Sequence, residues 1–317
     1  MEVITTTPLT LPDLAEVRGF VQASKADNTQ RAYRAAWREF THFCELRGVV
    51  VLPASPSAVV DYLTWLASRV KPATMQVKLA AVSFAHRMAH QPDPTGDESV
   101  RVVMAGIRRK LGTAPQKKAP ATLGDIAKMV RALPDDLSGK RDRAVLLVGF
   151  AGAFRRSELV NLDVADVHFN GKGMIITLRR SKTDQEGAGT KKVIPNLEGD
   201  LDPTTALRTW LISAGLTSGA LFRSVDRWGI VGTHRMNDRI VARIVKVAAT
   251  AAGLEPRQFS GHSLRSGFIT SAATSGAAEW QIQEISGHRS ERVLRGYIRD
   301  AGLGGQAAVR AAFGGSA

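Results

Sequence analysis

Several short stretches of this sequence carry side chains able to handle a phosphate ester. In Phe259-Ser-Gly-His-Ser-Leu-Arg265, His262 and Arg265 stand three residues apart. A helix starting here, with Ser260 or Ser263 near its cap, puts both side chains on one face of its first turn. That terminus already favours an anion, and an imidazole and a guanidinium fork beside it make a phosphate site. Ile285-Ser-Gly-His288 follows downstream. Nine residues after His288 comes Tyr297, one of three tyrosines in the chain, inside Arg295-Gly-Tyr-Ile-Arg299. A phenol among phosphate-binding cations points to covalent phosphoryl transfer.

Composition bounds the scaffold that must hold these groups. A chain of 317 residues suggests two domains, and 44 % hydrophobic content is enough for real cores. The net charge is +14, with +6 falling in residues 1–120 and +8 in the remainder. Both halves therefore suit a polyanionic partner, with nucleic acid the leading one. The single cysteine, Cys44, allows no internal disulfide and favours a reducing compartment, so a cytoplasmic location is expected. The N-terminus lacks the basic start and apolar run of a signal peptide. The longest apolar run, Ala144 to Phe154, falls short of the ~20 residues of a bilayer span, and no membrane association is expected.

Periodicity supplies the elements. Residues 1–11 read as an extended arm and Asp13 to Ser24 as a short helix. Asn28-Thr29 opens a helix to about Arg47, with Tyr33, Trp37, Phe40 and Cys44 on one stripe and Arg31, Arg34 and Arg38 on another. Ser55-Pro56 is a cap followed by proline at the first helical position. Pro72 to His90 is a further helix, with Lys71, Thr74, Gln76 and Lys78 at its start. His86 and His90 are spaced as a ligand pair, but without a third ligand they read as structural. Ser99 to Leu111 completes the first domain, residues 1–111. The stretch 112–121, with two prolines and two lysines, reads as a linker. A basic linker between two basic domains suits a clamp that closes round a duplex.

The second domain, 122–317, is mixed. Leu123 to Leu133 and Arg141 to Phe150 read as helices, and Ser157-Glu158 begins another. Met174 to Leu178 and Lys191 to Pro195 read as strands of a small antiparallel hairpin with Lys182 near its tip. Lys191 and Lys192 compete with Lys182 for a role there. The rest looks helical, including Thr204 to Ala214 and Met236 to Ala251. The latter carries a stripe of Arg239, Arg243 and Lys246 that could lie in a major groove. After Tyr297 a glycine-rich hinge leads to an apolar tail helix containing Ala307, Val309, Ala312 and Phe313. A Gly-rich phosphate loop and a two-metal carboxylate cluster are absent, so neither cofactor nor metal is expected.

Arg155, Lys182, His262, Arg265, His288 and Tyr297, in that order, resemble the tyrosine recombinase, or phage integrase, family. Its first box, roughly Gly-Leu-Arg-x-Ser-Glu-Leu, matches Ala153-Phe-Arg155-Arg-Ser-Glu158-Leu159. Its hairpin lysine matches Ser181-Lys182-Thr183, and that match favours Lys182 over Lys191 and Lys192. The His-x-Leu-Arg box is present as His262-Ser-Leu-Arg265, and Gly287-His288 and Tyr297 complete the set. Within the family the chain looks closest to Cre-like recombinases. The resemblance implies a mainly α fold, with an all-helical, SAM-like core-binding domain and a mostly α catalytic domain holding a small antiparallel sheet. It implies site-specific DNA recombination without ATP, through a 3′-phosphotyrosyl link and a Holliday junction. Arg155 and Arg265 would bind the phosphate, Lys182 would be the general acid, and His262 would accept the tyrosine proton. His288 would hydrogen-bond the phosphate, with Glu158 orienting an arginine or His262. It further implies duplex contacts by the Asn28 and Pro72 helices, base reading by Arg239, and a homotetramer joined through the tail helix. A type IB topoisomerase and a non-catalytic DNA-binding protein are the rival readings.

Overall fold

The computed structural model describes residues 27–114, 117–179, 189–288 and 296–297. The expected helix over Asp13–Ser24, the hairpin tip with Lys182, and the tail helix lie outside the described residues. The chain divides into two compact units, Met1–Gln116 and Lys117–Ala317.

Among the described residues the first unit holds four α-helices: α1 (Asp27–Arg47), α2 (Pro56–Ala67), α3 (Pro72–Met88) and α4 (Glu98–Leu111). The Ser55 side chain accepts from Ala58 N at 3.2 Å and Pro56 opens α2, as the sequence predicts. Phe40, Cys44, Tyr62, Leu63, Met75 and Val82 meet in one core. Four polar side chains, Glu39, Tyr62, Lys78 and His86, pack with it. Glu39 accepts from Tyr62 Oη at 2.9 Å and from Lys78 Nζ at 2.6 Å. His86 Nε2 accepts from Ala54 N at 2.9 Å while Nδ1 donates to the Val82 carbonyl at 2.9 Å. Both ring nitrogens are thus used internally, and His86 is structural.

The second unit is built around α6 (Leu137–Ala151), which is buried continuously from Ala144 to Phe150. Around it lie α5 (Leu123–Arg131), α7 (Arg156–Asn161), α8 (Pro203–Ser213), α9 (Asp238–Ala251), α10 (Ser263–Thr274) and α11 (Glu279–Ser286). Strands β1 (Val167–Asn170), β2 (Gly173–Leu178) and β3 (Thr190–Pro195) form an antiparallel sheet in that order. A second antiparallel pair, β4 (Arg223–Val225) with β5 (Val231–Arg235), stands where the sequence reads as helical. The expected hairpin is present as β2 and β3, while β1, β4 and β5 are additions. They hold three to five residues each, too few to print a period-2 signal.

Two backbone features position the site. Gly267 of α10 lies against the Ala121 carbonyl, so close that a Cβ would sit 1.7 Å from that oxygen. This approach lets Ala121 N donate to the Ser263 carbonyl at 2.9 Å and Leu123 N to Ser271 Oγ at 2.9 Å. The start of α10 is thereby tied to the chain entering α5. At the end of α11, Gly287 adopts φ +64°, which glycine enters without steric cost, and turns the chain so that His288 faces back.

Candidate active site

Arg155 stands at the start of α7, after the apolar run of α6. Its backbone N donates to Glu158 Oε2 at 2.9 Å and its guanidinium to Glu158 Oε1 at 2.5 Å. Glu158 is buried, so the pair fixes the arginine rather than exchanging with solvent. Ala153, just before it, has φ +47°, a conformation that strains a residue with a Cβ. It stands where the family box has glycine. The turn aims the Ala153 carbonyl at Arg265 Nη1, which donates to it at 2.7 Å.

Arg265 lies in the first turn of α10 and is 1 % exposed. Burial pulls its pKa down to about 10, and Arg155 pushes the same way; Glu158 and Tyr297 oppose the shift. The two serines expected at the cap act one step earlier. His262 itself occupies the cap position, with no side-chain cap bond. Ser260 Oγ accepts from His262 N at 3.2 Å and Ser263 Oγ accepts from Ser260 N at 2.9 Å, tightening the turn that delivers the imidazole.

His262 Nε2 lies 2.8 Å from Tyr297 Oη. Partial desolvation, then the charges of Arg265, Arg155 and Arg156, hold the His262 pKa below its ordinary value. A neutral ring whose nitrogen faces a phenol is poised to receive its proton. His288 closes the ring of groups. Its Nε2 is 3.2 Å from Arg265 Nη2, and its Nδ1 is 2.8 Å from Ser286 Oγ. A guanidinium can only donate, so the nitrogen facing it accepts. Desolvation and then Arg265 and Arg155 push His288 down to about 4, so it too is neutral at pH 7.

The structure brings Arg155, Glu158, His262, Arg265, His288 and Tyr297 into one cluster, and adds a residue passed over in favour of Lys182. Lys192 projects from the inner face of β3, 3 % exposed. Its ammonium donates to the Ile285 carbonyl and sits 5.1 Å from the centre of the Phe154 ring. The sequence carries no signal for it: Lys192 points inward while its neighbour Val193 is 61 % exposed, the reverse of what polarity assigns. Among the described residues no cluster of three His, Cys, Asp or Glu side chains could hold a metal ion.

Of the residues expected to touch DNA, Arg31 and Arg34 are exposed on α1, with Arg34 donating to Gln30 Oε1 at 3.1 Å. Lys71, Thr74 and Gln76 are exposed around the start of α3, and Arg239, Arg243 and Lys246 along α9. Lys78 is a correction. It shares the inward stripe of Met75 and Val82 and is paired with Glu39, so it is not presented to a duplex. No helix among the described residues is long and apolar enough to cross a membrane.

Comparison with known proteins gives the family. The phage integrase family profile matches residues 122–302. An integrase/recombinase XerD homolog of Selenomonas ruminantium is 37 % identical over 89 % of this chain and 84 % of its own. The recombinase Cre of Escherichia phage P1 is 25 % identical over 87 % of this chain and 84 % of its own. The identities thus lean toward the XerD homolog rather than to the Cre-like proteins that the motifs favour. A lambda integrase fragment crystallised as a dimer on a core site has the same fold, with a TM-score of 0.61 and 17 % identity over 91 % of this chain and 95 % of that one. The chain belongs to the phage integrase, or tyrosine recombinase, family.

Proposed function

We propose that this protein is a site-specific DNA recombinase that cuts and rejoins duplex DNA through a phosphotyrosyl intermediate. The observation that carries the reading is Tyr297 Oη hydrogen-bonded to a neutral His262 beside the buried Arg265. Tyr297 attacks phosphorus and passes its proton to His262 Nε2. The P–O5′ bond breaks, leaving a 3′-phosphotyrosyl link and a 5′-hydroxyl. Lys182, by resemblance, protonates the departing oxygen. Arg155 and Arg265 hold the non-bridging oxygens as they gain charge, and His288, by resemblance, would hydrogen-bond the same phosphate once its ring N–H is released from Ser286. The ester energy is retained in the link, so a 5′-hydroxyl from the partner strand reseals it without ATP.

The exposed basic residues of each unit fit the duplex backbone, whose charge dominates such binding. Arg31, Arg34, Lys71, Thr74 and Gln76 would serve from the core-binding unit, and Arg239, Arg243 and Lys246 from the catalytic unit. Arg239 is the candidate for a guanine edge. Four protomers would join two sites through a Holliday junction, linked by the tail helix. The lambda integrase and XerD-homolog relatives, named for DNA core-site binding and for recombination, support this reading.

The test is capture on nicked suicide duplexes drawn from a random library, followed by sequencing of the trapped DNA. The wild-type chain is expected to form a covalent adduct on one preferred sequence. Tyr297→Phe should bind that sequence equally and form none. Relaxation of a plasmid carrying a single copy of that sequence, without excision from a two-copy plasmid, would instead mark a monomeric topoisomerase.

A further inference from the structure

Lys192 is a lysine on the core-facing side of a strand, in line with Ile194 on β3 and opposite Ile176 on β2. Such a position takes an apolar residue unless the ammonium is needed. Its nitrogen joins three elements: β3 that carries it, the Phe154 ring in the Arg155 box, and the Ile285 carbonyl in the last turn of α11. Ile285 is three residues before His288. The intervening Ser286 holds His288 Nδ1, and Gln283 of the same turn donates to the His288 carbonyl at 2.7 Å.

Building on the recombinase reading above, we propose that Lys192 is a positioning residue: it clamps the C-terminal turn of α11 to the β2–β3 hairpin and so holds His288 against Arg265. The same bond ties β3 directly to α11. Among the described residues no carboxylate lies within ion-pair distance of the ammonium. Burial lowers the Lys192 pKa to about 8, with Glu158 pulling it up and Arg265 and Arg155 pulling it down. A buried cation so placed does not favour the folded chain, and an apolar side chain of similar length would. Its retention fits a part in organising the site rather than in stability.

The test uses the full chain with Lys192→Met and Lys192→Arg. The first keeps the length and removes charge and donor; the second keeps both. Three readouts are taken: thermal midpoint, the 15N resonances of the His288 ring in the free protein, and single-turnover adduct formation on the nicked duplex that the wild type captures. Lys192→Met is expected to melt no lower than wild type and to shift the His288 resonances. Duplex affinity should be kept while adduct formation slows roughly 10- to 100-fold, the scale of a misplaced group. Lys192→Arg should recover most of that rate. Unshifted His288 with wild-type cleavage would overturn the proposal. So would a Lys192→Met that unfolds or loses stability together with activity while Lys192→Arg does no better, since that pattern marks plain packing. Should the wild type form no adduct at all, the recombinase reading fails, while the His288 resonances still decide what Lys192 holds.

Discussion

Both units bury a lysine, the first paired with a glutamate and the second not, and the two arrangements differ in charge. In the first, Glu39 takes the Lys78 ammonium and the Tyr62 hydroxyl together, so charge is cancelled in place. Burial and then Glu39 push the Tyr62 phenol well above its ordinary value, and it remains protonated. In the second, Arg155, Arg265 and Lys192 crowd round a single buried carboxylate, Glu158, while two imidazoles are kept neutral. One cluster is complete without a ligand. The other has an excess of donors and positive charge that a phosphodiester would satisfy. Buried polar groups alone therefore do not mark a site; the sign of the uncompensated charge does.

Substitutions at matched positions sharpen this contrast. The largest expected effect is from Arg265→Gln, which should slow adduct formation by roughly 10³-fold, the range for removing a positioned donor at a developing charge. Its stability should hold, because it relieves repulsion with Arg155. Lys78→Met in the first unit should do the reverse. It leaves Glu39 without its cation and should lower stability by about 1–3 kcal/mol, as measured by urea unfolding, with cleavage per folded molecule unchanged. Equal losses of activity from both would erase the distinction.

Protons offer a second lever. His288 sits at about 4 in the folded chain and near its ordinary 6.5 when unfolded. Between those values the unfolded chain binds the proton first. Stability is therefore highest above pH 6.5 and falls as the pH drops toward 4, by about 1.4 kcal/mol per unit from this group. Urea midpoints at pH 7 and pH 5 should converge in His288→Leu relative to wild type. His262 must be neutral to accept a proton, and its pKa lies below the ordinary value. The acid limb of a cleavage-rate profile should accordingly fall below pH 6.5. The smallest effect is at Ala153, whose φ of +47° suits glycine. Ala153→Gly should raise stability by about 0.5–1 kcal/mol, strain relief being partly offset by chain entropy.

Much of this was legible in the residues. The helix that carries Tyr33, Trp37, Phe40 and Cys44 follows its stripe, and Arg155, His262, Arg265, His288 and Tyr297, singled out by type and order, lie together in the fold. What escaped did so for physical reasons. Lys78 looked like one of several polar residues opening α3, but it is three residues past Met75 and so turns inward. Lys192 and Val193 exchange the faces that their polarity would assign, which only the register against Ile176 reveals. The strands β4 and β5 flank the turn Asp226-Arg227-Trp228-Gly229 and are too short for alternation to declare them.

The most direct measurement of the central claim is mass spectrometry of the tryptic peptides from the chain trapped on a nicked duplex. The account predicts a nucleotide mass on the peptide Gly296-Tyr-Ile-Arg299, carried by the Tyr297 oxygen. A nucleotide carried by any other residue, or a duplex bound and cut without any covalent peptide, would contradict it.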